Sequence, residues 1–222
     1  MSKPAVNYQV VVARYNEMID WLSMFEPSRV HIYNKGDDIP NCPYNVVKLP
    51  NVGREAHTYL QYVVDNYDKL PDVVFFTQGR IDDHVKPLTK EYVFQHFIQI
   101  DSICKRAWRD VITSGFKGNR LLEWKGALAP ASCDALEFFK KYIGGGVADA
   151  PYPAYIYWAG VFSVKKERIL SRSLQFYKTL LELPELQHAN CEVAHYFERM
   201  WFYVFNCHVP PAALVPASAS PN

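Results

Sequence analysis

The chain has 222 residues, enough for one domain with a single large core. Its 24 basic and 23 acidic residues leave a formal net charge of +1, so no excess of charge indicates a nucleic-acid or membrane-surface partner. No apolar run approaches the roughly 18 residues of a membrane span. We also expect no secretory signal, because the first apolar run is short and is interrupted by Arg14.

The cysteines favour a reducing compartment. They are odd in number, widely spaced and never in a C-x-x-C pair, which is typical neither of a disulfide framework nor of a structural zinc site. We therefore expect five reduced thiols and a cytoplasmic protein. The residues are Cys42, Cys104, Cys133, Cys191 and Cys207.

The first half of the chain alternates strands and helices. Buried-type strands are predicted at 8–13, 29–33, 46–49 and 73–77, with helices at 18–25 and from about 54 to 67. This alternation predicts an α/β fold with a doubly wound, mostly parallel sheet and right-handed crossovers.

Polar residues follow these strands directly. Arg14 and Tyr15 come after the first strand, and Asn34 and Gly36 come after the second. Open α/β sheets bind ligands outside the carboxyl ends of their strands, and a helix beginning near Gly53 would add free N–H groups that attract anions. We therefore expect an anionic ligand at this edge. Two alternatives to anion binding are that Arg14 forms an ion pair with Glu17 and that Arg54 and His57 are ordinary surface residues at the start of a helix.

The segment 71–84, PDVVFFTQGRIDDH, predicts a metal site. Asp82, Asp83 and His84 follow a strand that is hydrophobic on both faces, and carboxylates are the ligands that Mg²⁺ and Mn²⁺ prefer. Adjacent acids on an extended chain point to opposite sides, so only one of the two is expected to reach the ion directly. The alternative is a solvated turn.

The second half is less regular. Helices are predicted at 90–108, 134–143, 165–183 and 190–205, a hinge at the glycines 144–146, and a core strand at 155–164 in which Gly160 marks a close backbone approach. Tyr157 and Trp158 are either core residues or a stacking surface for an acceptor sugar. Residues 1–208 are expected to form the domain, and 209–222 a disordered tail that joins further domains.

Four segments resemble a known family: VVVARYNEMIDWL, IYNKG, LPNVGREAHTYLQYVVDNYDKLPDVVFFTQG and AGVFSVKKERILSRSLQFYKTLLEL. They are similar to uncharacterised fungal and algal domains and to an algal-virus glycosyltransferase domain connected with capsid glycans. The resemblance covers about residues 10–205. It implies a GT-A-like (nucleotide-diphospho-sugar transferase) fold, with a mostly parallel mixed sheet flanked by helices, a UDP-sugar donor, and Mn²⁺ or Mg²⁺ on a DXD-type motif.

The resemblance also implies roles for individual residues. It places the donor nucleotide at Ala13, Arg14, Tyr15, Asn34 and Gly36, and the metal at Asp82, Asp83 and His84. Beside the resemblance, we expect Arg54, His57, Gln78 and Arg80 to contact the donor as well, and Tyr157 and Trp158 to contact the acceptor. Asp82 is also expected to act in catalysis by contacting the sugar. An inverting enzyme needs a carboxylate base, for which Glu123, Asp149, Glu192 and Glu198 are candidates. We favour Glu192, which opens a predicted helix after a loop; a retaining enzyme would need none.

Three functions remain distinct at this point. The first is a metal-dependent glycosyltransferase that moves a hexose or deoxyhexose, such as glucose or rhamnose, from a UDP-sugar to a glycan or glycoprotein. The second is a metal-dependent phosphohydrolase or nucleotidyltransferase that uses the same acids. The third is a catalytically silent carbohydrate- or protein-binding domain.

Overall fold

The structure is a computed structural model that describes residues 6–106, 110–112, 128–144, 154–156, 160–209 and 211–214. Its strands are β1 (Tyr8–Arg14), β2 (Val30–Asn34), β3 (Asn45–Lys48), β4 (Val73–Gln78), β5 (Asp110–Ile112), β6 (Ala154–Ile156) and β7 (Phe162–Lys165). Five of them form the central sheet in the order β3-β2-β1-β4-β7. The first four run parallel and β7 runs antiparallel to β4. Strands β5 and β6 form a separate antiparallel pair.

Helices flank this sheet. They are α1 (Arg54–Asn66), α2 (Lys90–Val93), α3 (Ser102–Arg106), α4 (Ala135–Phe138), α5 (Lys166–Leu170), α6 (Leu174–Leu181) and α7 (Glu192–Val204). Two π-helical segments, Phe94–Ile98 and Phe139–Ile143, continue α2 and α4. Short 3₁₀ helices lie at Asp20–Met24, Pro27–Arg29, Tyr67–Lys69, Pro184–Gln187 and Pro211–Ala213.

Strand β4 separates two hydrophobic cores. Val73 and Phe75 pack on one side of the sheet with Leu22 and Phe97, whereas Val74 and Phe76 pack on the other side with α1 and α7. A strand between two apolar layers must be hydrophobic at every position, which is why the run VVFF shows no alternation. The α/β architecture expected from the sequence is therefore confirmed as a mixed five-stranded sheet flanked by helices.

Helix α1 begins sharply because Gly53 before it adopts a left-handed conformation with φ +60°. Its apolar residues then recur at helical spacing, so that Ala56, Tyr59 and Val63 are buried against the sheet. Burial of each large side chain is worth about 1.5 to 3 kcal/mol. The first turn of α1 is thereby fixed at the carboxyl edge of the parallel strands.

Several predicted elements are shorter than expected. The predicted helix at 18–25 is only the 3₁₀ helix Asp20–Met24. The predicted helix at 165–183 is divided into α5 and α6, since the Ser173 side chain accepts a hydrogen bond from Phe176 N at 3.2 Å and starts a new helix. The predicted strand at 155–164 is represented by β6 and β7, and its residues 157–159 lie outside the described residues.

One expectation about the cysteines is wrong. Cys104 and Cys207 form a disulfide that joins α3 to the segment after α7, while Cys42, Cys133 and Cys191 are free. Disulfides persist mainly in oxidising compartments, so cysteine usage no longer supports a cytoplasmic location. Within the described ranges, no helix is long and apolar enough to cross a bilayer.

Candidate functional site

A cavity of about 260 Å³ lies at the carboxyl edge of the parallel strands. Strand register brings its floor together, because Ala13 pairs with Gln78 and Arg14 pairs with Asn34. The chain leaves β1 toward β2 on one side and later reaches β4 on the other, and such a topological switch point is where open α/β sheets bind ligands. The lining residues are Ala13, Arg14, Tyr15, Glu17, Lys35, Asn51, Arg54, Glu55, Gln78, Arg80 and Ala189.

Six of the residues expected to bind a nucleotide line this cavity: Ala13, Arg14, Tyr15, Arg54, Gln78 and Arg80. Asn34, which is buried, and Gly36 do not line the cavity, and His57 is buried in the first turns of α1. Burial and the nearby Lys35 ammonium lower the pKa of His57 to about 4. His57 is therefore a neutral packing residue at neutral pH.

The guanidinium of Arg14 joins the two loops at the rim of the cavity, which are the segments that follow β1 and β2. It donates hydrogen bonds to Asn34 Oδ1 at 2.8 Å and to the carbonyl oxygens of Tyr15 at 3.0 Å and Asp37 at 3.1 Å. Its Nε donates to the backbone oxygen of Glu17 at 3.1 Å, so the contact is not the ion pair with the Glu17 carboxylate that was considered as the alternative. A Cβ on Gly36 would lie 1.8 Å from the Tyr15 carbonyl oxygen, so only glycine fits where the loops meet.

Positive charge predominates among the described residues that line the cavity, with four cationic side chains (Arg14, Lys35, Arg54 and Arg80) and two carboxylates (Glu17 and Glu55). Lys35 is only 9% exposed and donates to the carbonyl oxygens of Val52, at 2.5 Å, and Arg54. Burial lowers the pKa of Lys35 to about 8, against the opposing attraction of Glu55. At neutral pH the ammonium is charged and faces a cavity suited to an anion.

Arg54 adopts an unusual backbone conformation at the start of α1. Its φ is +48°, directly after the left-handed Gly53. A left-handed conformation costs a non-glycine residue about 1 to 2 kcal/mol, and such strain is concentrated at functional sites. It brings the Arg54 side chain to the cavity, with Nε 3.7 Å from Glu55 Oε2.

Glu55 is the buried acid of the cavity. It is 6% exposed, and its Oε1 has no hydrogen-bond partner within the described part of the chain. Burial, and then the negative charge of Glu198 on α7, raise the pKa of Glu55 to about 7. A carboxyl group with a pKa near neutral can both accept and release a proton at physiological pH.

The three residues predicted to bind a metal, Asp82, Asp83 and His84, do not line the cavity; we call them the triplet. Its side chains are 64% (Asp82), 47% (Asp83) and 35% (His84) exposed. Arg80 Nε lies 3.4 Å from Asp82 Oδ1 and 3.7 Å from Asp83 Oδ2, which puts a guanidinium between the two acids. Among the described residues, no group of three or more His, Cys, Asp or Glu side chains could hold a metal ion. As arranged, the triplet does not fit a preformed Mn²⁺ or Mg²⁺ site.

The favoured base, Glu192, is also placed elsewhere. It is fully buried at the start of α7, where its Oε2 accepts a hydrogen bond from Ala131 N at 3.0 Å, and it does not line the cavity. Tyr157, Trp158, Glu123 and Asp149 lie outside the described residues.

Sequence reasoning did not select Glu55, Asn51 or Ala189 as site residues. One feature of the sequence could have indicated Glu55: it is an acid in the first turn of a helix whose N-terminus was already expected to face an anion. Ala189 carried none, because it reaches the cavity through the loop before α7 and is remote in sequence from the strands that form the floor.

No curated protein and no solved structure matches the chain significantly. One protein-family model does match it, and the match covers residues 10–214, from the first strand to beyond the disulfide. The chain therefore belongs to the family described as "Protein of unknown function (DUF3431)".

Proposed function

We propose that this protein is a glycosyltransferase that binds a UDP-sugar in the cavity and transfers a hexose or deoxyhexose, such as glucose or rhamnose, to a glycan acceptor. The observation that carries the proposal is the meeting of four cationic side chains at the topological switch point of a mostly parallel sheet. A diphosphate is the ligand group that this charge and this position favour.

The fold supports the same proposal. A parallel set of four strands extended by one antiparallel strand agrees with the GT-A-like architecture that the sequence resemblance implies. The segments that carry the resemblance include the ends of β1, β2 and β4 and the start of α1, which line most of the cavity.

The chemistry assigns a task to three of the four cations. When the bond between the sugar and UDP breaks, negative charge grows on the departing diphosphate and must be stabilised. Lys35, Arg54 and Arg80 supply fixed positive charge around the cavity. The N-terminus of α1 adds a partial positive charge and free N–H groups. The half-exposed ring of Tyr15 at the rim is suited to stacking on a base or sugar.

A requirement for Mn²⁺ or Mg²⁺ stays a prediction. A bound ion would act as a Lewis acid toward the diphosphate, but Arg80 stands between Asp82 and Asp83 and we derive no step through a metal. Calorimetry of UDP binding with and without Mn²⁺, in the wild type and in Asp83→Ala, tests this requirement directly. A dependence on Mn²⁺ that the variant loses would place the ion on the triplet, whereas metal-independent binding would remove the ion from the proposal.

The function itself is tested with a panel of nucleotides and nucleotide sugars, read out by thermal shift and by product analysis. We expect UDP and UDP-sugars to raise the melting temperature, and Arg80→Ala to reduce this increase. We also expect product analysis to find the sugar either free or attached to an acceptor. Arg29→Ala is the matched control, because Arg29 packs over Tyr8 at 5.3 Å and does not line the cavity. Release of phosphate or pyrophosphate would instead indicate a phosphohydrolase or nucleotidyltransferase. Binding without turnover would indicate a silent binding domain.

A further inference from the structure

The two carboxylates of the cavity differ in their surroundings. Glu17 is partly exposed, and its Oε2 accepts a hydrogen bond from Tyr15 N at 2.7 Å, so it has a structural role in the rim loop. Glu55 is buried; its carboxyl group shares a hydrogen bond with Glu198, but its Oε1 has no partner among the described residues. An unsatisfied buried carboxyl oxygen is costly, and such groups in native proteins call for an explanation, of which a catalytic role is one.

The backbone at Gly160 covers the Glu55 side chain. Gly160 has φ +55°, and a Cβ there would lie 3.2 Å from Glu55 Cγ, 3.4 Å from Glu55 Oε1 and 3.3 Å from Gln78 Nε2. Glu55 Oε1 is therefore near both Gly160 and Gln78, and Gln78 lines the cavity floor. The carboxyl group is held where β4 ends, beside the space available to a ligand.

Charged and titratable groups surround Glu55 on several elements. Arg54 precedes it on α1, Tyr59 follows one turn later, Lys35 faces it from the end of β2, and Cys191, His195 and Glu198 face it from the start and middle of α7. His195 Nδ1 lies 3.2 Å from Glu198 Oε2, so Glu198 is itself fixed by a partner. Of these groups, Arg54 and Lys35 line the cavity, whereas Glu198 does not.

We propose that Glu55 is the general base of the reaction, and this inference rests on the proposed function. The attacking oxygen of the acceptor hydroxyl, or of water, forms a bond to the anomeric carbon of the sugar. The bond from that carbon to the diphosphate oxygen breaks, and its electron pair leaves with UDP. The proton of the attacking group moves to the Glu55 carboxylate, which later releases it to solvent.

The proton affinity of Glu55 supports this role independently of its position. A base with a pKa near the working pH combines a useful fraction of the ionised form with a strong tendency to take the proton. Burial and Glu198 raise the pKa of Glu55 to about 7, close to that optimum. Glu198 is therefore a positioning residue that tunes Glu55.

The test measures sugar release from UDP-glucose and UDP-rhamnose, together with the thermal shift caused by UDP. We expect Glu55→Gln to keep the UDP shift and to lower turnover by about 100-fold or more, as is typical of a missing general base. We expect Glu198→Gln to move the acidic limb of the kcat/KM profile to lower pH, because the charge that raises the pKa of Glu55 is gone. Glu182→Gln, an exposed acid before the 3₁₀ helix Pro184–Gln187, is the matched control.

The outcomes separate the two proposals. A wild type that binds no UDP and releases no sugar overturns the glycosyltransferase function and, with it, the role of Glu55. A wild type that turns over while Glu55→Gln keeps a rate within about threefold of it overturns the role of Glu55 alone. If Glu55→Gln does not fold, the pH profile of Glu198→Gln decides, and an unmoved acidic limb refutes the inference.

Discussion

The hydroxyl of Tyr59 donates a hydrogen bond of 2.6 Å to the carbonyl oxygen of Gly160, which lies 101 residues further along the chain. Tyr59 follows Glu55 by four residues on α1, so the two side chains share one face of the helix. The bond therefore fixes the Gly160 backbone directly over Glu55. One helix therefore provides both the buried acid of the cavity, Glu55, and the anchor of the backbone that covers it.

The first prediction concerns Gly160. We expect Gly160→Ala to lower the free energy of unfolding by about 1 to 2 kcal/mol, because its φ of +55° is unfavourable for a residue with a Cβ. Sugar turnover should fall as well, since the new Cβ would press on Glu55. Urea unfolding and the UDP-sugar assay measure the two effects.

Gly144→Ala is the control for this variant. Gly144 has φ −66°, so alanine there carries no left-handed strain, and the added Cβ would meet Phe139, with the ring at 3.0 Å and the carbonyl oxygen at 3.4 Å. Its turnover should stay at the wild-type value. Equal losses of turnover in both variants would contradict a specific contact between Gly160 and Glu55.

The second prediction concerns the stability cost of Glu55. Its pKa is raised to about 7 in the folded protein, against an ordinary value of 4.5. Between these two values the folded state holds a proton that the unfolded state has lost, so stability falls as the pH rises and levels off above about pH 7. Glu55→Gln removes this fall and should be more stable than the wild type at about pH 8, by about 1 to 3 kcal/mol. Urea unfolding across this pH range measures it, and parallel curves for the two proteins would contradict it.

The third prediction concerns Lys35 and anion binding. Its pKa is lowered to about 8, and a bound diphosphate favours the charged ammonium. Above about pH 8 the free protein loses this charge while Glu55 is already ionised, so the Kd for UDP should rise three- to tenfold by about pH 9. Isothermal titration calorimetry should show this dependence in the wild type and its absence in Lys35→Gln.

Lys165→Gln is the control for Lys35. Lys165 pairs in register with Val73 at the amino end of β4, on the opposite edge of the sheet, and forms an ion pair with Glu167. We expect this variant to keep the wild-type pH dependence of UDP binding. A Kd that does not change between about pH 8 and 9 in the wild type would exclude Lys35 from diphosphate binding.

The fourth prediction concerns the Cys104–Cys207 disulfide. It closes a loop with a sequence separation of 103 residues. In the loop-entropy account, a cross-link of that span lowers the conformational entropy of the unfolded chain and thereby raises the free energy of unfolding by about 4 to 5 kcal/mol. Cys207→Ser, or treatment with a reductant, should lower the free energy of unfolding by up to this amount, whereas Cys42→Ser, which removes a free thiol, should have little effect. Five titratable thiols in the untreated, denatured protein would show that the bond is absent.

The sequence identified the strands and the helix that build the cavity. Runs such as VVVA in β1 and VVFF in β4 are hydrophobic at every position, and this local property suffices to predict a strand buried on both faces. The polar residues directly after these strands then predicted that charged side chains would gather at the carboxyl edge of the sheet. Arg14 and Tyr15 were found in this way, because the ends of neighbouring strands in a parallel sheet meet at one edge, whereas Ala13 was expected from the family resemblance.

Only the tertiary structure decided which acids face the cavity. Glu55 is positioned by Gly160 and by Glu198, and the guanidinium of Arg80 lies between Asp82 and Asp83. The pairing of Cys104 with Cys207 is a contact of the same long-range kind. Burial, pKa and pairing depend on which distant segments pack together, whereas hydrophobic periodicity is set by neighbours along the chain. For that reason the sequence located the edge of the sheet, and the fold selected the residues that can act there.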